Sequence, residues 1–359
     1  MNQLRQHLAE RISLDGPLSI ARFMAEALGH PQWGYYISRD PLGRAGDFIT
    51  APEVSQMFGE LIGLWCADRW RALGAPDPFN LVELGPGRGT LMADALRAAA
   101  ALPGFTAAAR IQLVETSPVL RAAQKQALAN SEVNWHDRIV DLPPGPAIAI
   151  ANEFFDALPI RQFQRKEDGW HERMVALRED ELCLQLSPGI VPSAPLPDGV
   201  QAAPFDAIFE VSPARTAAMS ELCQHLAKYD GAALVIDYGH ERSAVGDTLQ
   251  AMRAHEYVDP LAQPGQADLT AHVDFQALGD AAAAAGVIAH GPMTQGGFLQ
   301  RLGIATRADI LRQRATAAQS DAIDAALHRL TDRDEMGQLF KVMAISAADP
   351  APPPGFEEI

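Results

Sequence analysis

Residues 79–91 read Phe79-Asn80-Leu81-Val82-Glu83-Leu84-Gly85-Pro86-Gly87-Arg88-Gly89-Thr90-Leu91. An apolar strand pattern here runs into three glycines at alternate positions and then into a helical pattern, and this order is the main indication of the fold. Glycine permits positive φ angles and lets a ligand lie against bare backbone, and the start of a helix offers unpaired N–H groups. The stretch therefore predicts a strand–loop–helix unit that binds a ligand, with a purely structural turn as the plainer alternative.

A nicotinamide or flavin dinucleotide site is the first ligand to consider for such a loop. Its fingerprint is Gly-x-Gly-x-x-Gly, with the pyrophosphate on the helix N-terminus. Here the third glycine comes one residue early, and Thr90 occupies the position of the final Gly or Ala. The carboxylate of Glu83 would also repel a pyrophosphate. The spacing therefore disfavours a dinucleotide-dependent oxidoreductase.

The spacing Glu-x-Gly-x-Gly-x-Gly instead resembles motif I of the class I S-adenosylmethionine (SAM) methyltransferases. Their ligand has no phosphate and carries a sulfonium and an ammonium, which a nearby acid attracts. SAM is therefore the expected cofactor. The resemblance implies that it contacts Glu83, Gly85, Pro86, Gly87, Gly89, Thr90 and Leu91.

A second acid ends the next predicted strand. Residues 111–115 form an apolar run that closes on Glu115, after which Ser117 and Pro118 suit a helix N-cap and first helical position. A carboxylate at the end of the second strand of a nucleotide-binding unit commonly holds ribose hydroxyls. A solvated acid near a helix start would look the same, but its place after a glycine loop favours the ligand.

The composition of the chain is that of a globular protein and disfavours several other classes. The chain of 359 residues is 48% hydrophobic and 21% charged, as expected of a globular protein, and its net charge of -16 makes nucleic acid an unexpected partner. The three cysteines are widely separated and suggest neither a disulfide framework nor a zinc site. We expect no membrane insertion and no targeting peptide, and a cytoplasmic location in a bacterium. The oligomeric state stays open.

Strand and helix patterns alternate from residue 79 to residue 151, which predicts an α/β fold with a mostly parallel sheet and helices on both faces. We expect residues 1–75 to form an N-terminal helical extension and lid, with one long helix over 53–73. Residues 76–359 would form a Rossmann-like core. Insertions are expected at about 160–205, as a β meander and a Pro-rich loop, and at about 240–275, as a loop-rich segment.

Polar residues follow the fourth core strand. Asn152, Glu153 and Asp156 come directly after the apolar run 147–151. In an open α/β sheet the ligands lie outside the carboxyl ends of the strands, so these side chains would face the reacting groups. Alternatively, Asn152 and Glu153 form a turn that caps the next helix.

The chain resembles, over nearly its whole length, the SAM-dependent methyltransferase family that includes the mitochondrial protein arginine methyltransferase acting as a complex I assembly factor. The matching segments occur in the family's order. They are Gly34–Tyr36, Gly46–Glu53, Glu83–Leu91, Val114–Ser117, Asn152–Pro159, Ile236–Gly239, Gly265–Phe275 and Gln295–Leu299.

The resemblance implies symmetric dimethylation of an arginine in a partner protein, such as a respiratory complex I core subunit. A guanidinium resists deprotonation, so it must be held by carboxylates and must lose a proton as its nitrogen attacks. Glu153 is the first candidate for this role, followed by Asp156. Asn152 is a candidate both for binding the cofactor and for contacting the acceptor. No metal is required. A SAM-binding assembly factor without catalysis is the alternative.

The remaining candidates would form the lid and the wall of the acceptor site. Asp47, Phe48 and Thr50 follow a glycine and lie in the predicted lid, although Gly46-Asp47 could be an ordinary turn. The acceptor wall would include Asp237 and Tyr238, after an apolar strand, and Asp268 and His272, before a predicted helix. Capping of that helix by Thr270 or Asp274 is the simpler account of the last group.

Overall fold

The structure is a computed structural model that describes residues 2–38, 50–190, 197–347 and 351–357. In chain order its helices and strands are α1 (Gln3–Asp15), β1 (Leu18–Ser19), α2 (Ile20–Gly29), α3 (Tyr35–Ser38), α4 (Ala51–Val54), α5 (Gln56–Ala72), β2 (Phe79–Leu84), α6 (Thr90–Ala99), α7 (Phe105–Ala108), β3 (Ala109–Val114), α8 (Pro118–Ala127), β4 (Val133–His136), a 3₁₀ helix (Ile139–Asp141), β5 (Ala147–Asn152), β6 (Arg161–Lys166), β7 (Gly169–Arg178), β8 (Glu181–Ile190), α9 (Asp198–Gln201), β9 (Ile208–Val211), α10 (Pro213–Tyr229), β10 (Gly231–His240), β11 (Gln250–Arg253), β12 (Glu256–Val258), β13 (Asp268–Thr270), β14 (Val273–Asp274), α11 (Phe275–Ala284), β15 (Ile288–Thr294), α12 (Gln295–Arg301), α13 (Ile304–Arg312), α14 (Ala317–Thr331), α15 (Met336–Leu339) and β16 (Phe340–Ser346).

The central sheet has the strand order β15-β16-β10-β5-β2-β3-β4, with β14 added beside β10. The strands from β10 to β4 are parallel, and β16 is antiparallel to both of its neighbours. The chain reverses its direction of winding between β2 and β5, which opens a crevice at their carboxyl ends. The predicted mostly parallel α/β sheet is confirmed.

Side chains of the central strands point alternately to the two faces of the sheet and pack into two hydrophobic clusters, one on each face. Leu81 and Ile148 belong to the cluster that contains Trp65, whereas Val82 and Ala149 belong to the other. Strands covered on both faces are apolar at every position, and all six residues of β5 are buried. Each large side chain buried in this way contributes roughly 1.5–3 kcal/mol to folding.

A third hydrophobic cluster joins three parts of the chain that are distant in sequence. Phe23 of α2, Val175 of β7 and Leu269 of β13 are all buried in it. The predicted meander is confirmed as β6, β7 and β8, which join β1 and β9 in one antiparallel sheet. The N-terminal segment and both inserted segments thus share a core, while the domain boundaries given above stay a prediction.

Three elements differ from the sequence-based expectations. The single helix expected over 53–73 is wrong, because Ser55 has an extended backbone (φ -162°) and caps the second of two helices, α4 and α5. The segment 240–270, expected to be loop-rich, contains β11, β12 and β13. Strand β15 was not predicted, since Gly291 and Pro292 interrupt its pattern.

Across the described residues, no helix combines the length and apolar character needed to cross a bilayer.

Candidate functional site

A cavity of about 530 Å³ lies along the carboxyl edge of the central sheet. Its lining includes a residue at or just beyond the end of each of four neighbouring strands: Asn152 of β5, Gly85 after β2, Glu115 after β3 and Asp137 after β4. The cavity therefore spans the point where the strand order reverses, which is where ligands bind in open α/β sheets.

The glycine loop forms the floor of this cavity. Gly85, Gly87 and Gly89 all have positive φ, at 62°, 53° and 85°. Residues with a Cβ atom rarely adopt this backbone conformation. A Cβ on Gly85 would also come within 3.0 Å of the Phe154 ring. Gly89 caps α6 and does not line the cavity. The other predicted residues of the loop do: Glu83, Gly85, Pro86, Gly87, Thr90 and Leu91.

Two residues that line the cavity each have a buried oxygen atom with no hydrogen-bond partner among the described residues. These atoms are Oε2 of Glu83, which is 2% exposed, and Oδ1 of Asn152, which is 7% exposed. Burial raises the pKa of Glu83 to about 8. Buried acceptors of this kind are normally satisfied, and an ammonium offers three donors to them. The cavity therefore fits the cationic amine that SAM carries.

Glu115 lines the cavity and also shapes its own turn. Its Oε1 accepts from the backbone N–H of Ser117 at 2.7 Å and its Oε2 from Nε2 of Gln124 at 3.2 Å. Burial raises its pKa. The predicted N-cap is confirmed, because the Ser117 hydroxyl accepts from Leu120 N with Pro118 at the first helical position. Two protein donors leave the carboxylate capacity for further bonds.

Glu153 lies at the β5 end of the cavity in a strained conformation. Its φ is 50°, which costs a residue with a side chain of order 1–3 kcal/mol and is typical of functional positions. Its Oε1 accepts from Ala51 N at 3.0 Å and from Nδ2 of Asn152 at 3.1 Å. Burial, with a smaller contribution from Asp156, raises the pKa of Glu153 to about 7.

The loop that follows Glu153 is fixed by two buried side chains, Asp237 and Arg215. Asp237 is fully buried, and its Oδ2 accepts from the backbone N–H groups of Phe155 and Asp156 at 3.0 and 3.1 Å. Arg215 donates to the carbonyl oxygens of the same two residues at 2.7 and 3.0 Å. It also donates to the carbonyls of Ala271 and His272. Asp237 thus shapes the loop and does not line the cavity.

The catalytic candidate Asp156 and the other predicted wall residues form a cluster beside this loop, outside the cavity lining. Asp156 is 6% exposed, and its Oδ1 has no hydrogen-bond partner among the described residues. Asp268 accepts from the Tyr36 hydroxyl at 2.8 Å. The rings of Tyr238 and His272 pack edge to face. Asp274, not Thr270, caps α11. Thr50 lines the cavity, and Asp47 and Phe48 lie outside the described residues.

Among the cavity residues to which the sequence assigned no role, three make contacts that shape the site: Phe154, Tyr36 and Glu53. Phe154 faces the glycine loop, and Tyr36 and Glu53 come from the N-terminal segment. The Tyr36 carbonyl accepts from the Ser117 hydroxyl at 2.5 Å, and Oε1 of Glu53 accepts from the Thr90 hydroxyl at 2.7 Å. Tyr36 and Glu53 belong to matched segments of the family resemblance, which was the available signal. The N-terminal segment therefore forms one wall of the cavity.

One group among the described residues has the spacing of a metal site: His7, Glu26 and His30. It lies outside the cavity lining. Glu26 is paired with Arg11 at 2.8 Å, and Nδ1 of His30 accepts from the backbone of Gln32 and Trp33. We assign no metal to this group.

Comparisons with known proteins agree with this geometry. Residues 61–293 match the family model described as "Putative S-adenosyl-L-methionine-dependent methyltransferase". The chain is 37% identical to the mitochondrial protein arginine methyltransferase NDUFAF7 of Danio rerio, over 95% of this chain and 86% of the relative. Identity to the Homo sapiens protein of the same name is 35%, over 95% and 82%.

A solved structure extends the similarity to three dimensions. The crystal structure of a protein from Burkholderia thailandensis bound to S-adenosyl-homocysteine superposes with a TM-score of 0.81. The two sequences are 28% identical, and the match covers 99% of this chain and 92% of that one.

Proposed function

We propose that this chain, which belongs to the SAM-dependent methyltransferase family, methylates an arginine side chain of a partner protein. Methyl transfer with SAM as cofactor follows from the family and from the cavity at the strand-order reversal. The arginine acceptor is supported by the names of its relatives. The observation that carries it is Glu153, a strained carboxylate with a raised pKa at the β5 end of the cavity.

The residues of the cavity suit the parts of the cofactor. Glu83 and Asn152 would accept from its ammonium, the glycine loop would contact its methionine part through bare backbone, and Glu115 would bind its ribose. When bound, SAM supplies a methyl group activated by the positive sulfur. Among the described residues, six carboxylates and two arginines, Arg88 and Arg138, line the cavity, so the charge of this lining favours a cationic cofactor and a cationic acceptor.

Glu153 would hold and then deprotonate the acceptor. A carboxylate binds the planar guanidinium through paired hydrogen bonds and orients one nitrogen toward the methyl carbon. As the N–C bond forms, the electron pair of the C–S bond stays on sulfur and the nitrogen proton passes to Glu153. A pKa of about 7 makes Glu153 a competent acceptor of that proton at neutral pH. Asp156 would act by raising this pKa, and Asn152 by orienting the carboxylate.

The identity of the partner is proposed from the family resemblance. It implies symmetric dimethylation and a respiratory complex I core subunit, and we propose the bacterial cytoplasm as the location. The acidic net charge of -16 is compatible with a basic target segment.

Quantitative mass spectrometry of methylated arginine in cells with and without this gene tests the proposal. We expect one or a few symmetric dimethylarginine sites to disappear in the deletion strain and to return on complementation. An unchanged arginine methylome, together with SAM binding by the purified protein, would instead support a non-catalytic assembly factor. Failure to bind SAM or S-adenosylhomocysteine (SAH) would contradict both.

A further inference from the structure

We propose that Glu53 of α4 is a second acceptor carboxylate, which contacts the target guanidinium together with Glu153. The inference rests on the proposed arginine acceptor and adds a residue from the N-terminal segment to the reacting site. Glu53 lines the same cavity as Glu153, although it lies 100 residues earlier in the chain.

The need for a second acid follows from charge. A guanidinium presents five N–H donors and keeps its charge in any protein environment. A single carboxylate satisfies at most two of these donors. With a pKa of about 7, Glu153 is itself only partly ionised at neutral pH before the substrate arrives. A cation entering this cavity is therefore compensated better by two carboxylates than by one.

The strand order identifies which acid is suitably placed. Glu83, Glu115 and Asp137 mark the ends of β2, β3 and β4, strands that lie progressively farther from β5, after which Glu153 follows. The remaining two are Glu221 and Glu53. Glu221, on α10, interacts electrostatically with Arg138 near the β4 end. Among the cavity carboxylates of the described residues, this leaves Glu53. It belongs to α4, the helix whose first residue, Ala51, donates a hydrogen bond to Glu153.

The bonds around α4 hold Glu53 in place. The N–H of Ala51, the first residue of α4, donates to Oε1 of Glu153 at 3.0 Å. Two residues later, Oε1 of Glu53 accepts from the Thr90 hydroxyl at 2.7 Å. Because Thr90 begins α6 directly after the glycine loop, α4 is bonded to the glycine-loop side of the cavity through Glu53 and to Glu153 through Ala51. A carboxylate held in this way loses little conformational freedom when a cation binds.

The test compares purified wild type with three variants. Glu53→Gln keeps an oxygen for the Thr90 hydroxyl but loses the charge, and Glu53→Asp keeps the charge on a shorter chain. Asp68→Asn removes an acid from α5 outside the cavity lining. For each protein we would measure thermal stability, SAH affinity by calorimetry, and label transfer from methyl-labelled SAM to arginine in extract of the deletion strain, at saturating SAM.

We expect Glu53→Gln to bind SAH within about twofold of wild type and to transfer label at least roughly tenfold more slowly, as the loss of a charge-assisted bond implies. Glu53→Asp should recover part of the rate, and Asp68→Asn should match wild type. A Glu53→Gln rate within threefold of wild type would overturn the proposal. So would a parallel loss of SAH affinity, which would place Glu53 on the cofactor. Wild type that labels no arginine would refute the proposed function itself.

Discussion

The proposed cofactor half and the proposed acceptor half of the cavity are built in different ways. The cofactor half is mostly local, because Glu83, the glycine loop, Glu115 and Gln124 all lie within one β–α–β–α stretch of the chain, and Asn152 of β5 is the exception. The acceptor half depends on distant partners: Glu153 bonds to Ala51, 102 residues away, and Phe155 bonds to Asp237, 82 residues away. Most of the first half therefore belongs to one supersecondary unit, whereas the second requires contacts between distant parts of the chain.

The two halves also differ in how their cavity-lining side chains are bonded. Among the described residues, Glu83 and Asn152, which we assign to the cofactor, each have a buried oxygen without a hydrogen-bond partner, as does Asp156 behind the proposed acceptor end. By contrast, Oε1 of Glu153 accepts two hydrogen bonds, and the loop behind it is bonded through both its N–H and its C=O groups. Glu153 is thus preorganised by bonds within the protein, whereas Glu83 and Asn152 offer unused acceptor atoms to the cofactor. If so, substitutions should separate binding of the cofactor from transfer of the methyl group.

The largest expected effect is the loss of cofactor binding in Gly87→Val. Gly87 has φ 53°, which a β-branched side chain opposes, and its backbone lines the cavity. We expect no measurable SAH binding by calorimetry in a protein that still folds. Gly189→Val is the matched control, because an added Cβ there meets nothing within 4 Å and its φ is not positive. Unchanged SAH affinity of Gly87→Val would contradict the assignment of the loop.

A smaller effect is expected for Glu83→Gln, which should raise the thermal stability of the ligand-free protein and lower its affinity for SAH. The pKa of Glu83 in the folded protein, about 8, lies above its unfolded value. The ligand-free protein therefore loses stability as pH rises from the ordinary Glu pKa toward 8, because the carboxyl ionises in the unfolded chain while it stays protonated in the folded protein. The amide removes this cost, so the Tm at pH 8 should rise. SAH affinity should fall roughly 10–100-fold, because a charge-assisted bond to the ammonium is lost.

Exposed Glu132 provides the control for that experiment, since Glu132→Gln should change neither quantity. A Glu83→Gln protein with lower Tm and wild-type affinity would show that Glu83 is structural.

The smallest effect concerns pH and belongs to the acceptor half. If Glu153 must be ionised to bind the guanidinium, kcat/KM for methyl transfer should fall below about pH 7, by about tenfold per pH unit at the acidic limit. SAM should be kept saturating, because the charge on Glu83 is expected to affect its binding over the same range. A rate independent of pH between about 5.5 and 8 would remove Glu153 as the proton acceptor.

The sequence predicted the cofactor half far better than the acceptor half, for a physical reason. Glycines that need positive φ and acids that end consecutive strands are visible in a short stretch, and the structure brings Glu83, Gly87 and Glu115 to one cavity. The Asp237 side chain points to the loop after Glu153 and not into the cavity, because its carboxylate reaches backbone N–H groups that come close only after folding. Nothing local to residue 237 shows that its partners are the N–H groups of Phe155 and Asp156.

The same limit explains why Glu53 had no assigned role. Its position near a predicted helix start suggested only a helix boundary, whereas its bond to Thr90 spans 37 residues. The shared core of α2, β7 and β13 is another long-range feature. It brings together segments whose own patterns indicated separate helices, a meander and a loop.

The most direct test of the separation between the two halves is a paired measurement on Glu153→Gln. The amide keeps the shape and an acceptor oxygen for Ala51 N, but loses the charge that holds and deprotonates the guanidinium. We expect SAH affinity within about twofold of wild type and methyl transfer to arginine slower by at least roughly a hundredfold, because a general base is lost. Transfer within a fewfold of wild type by the folded, SAM-loaded variant would contradict this role of Glu153.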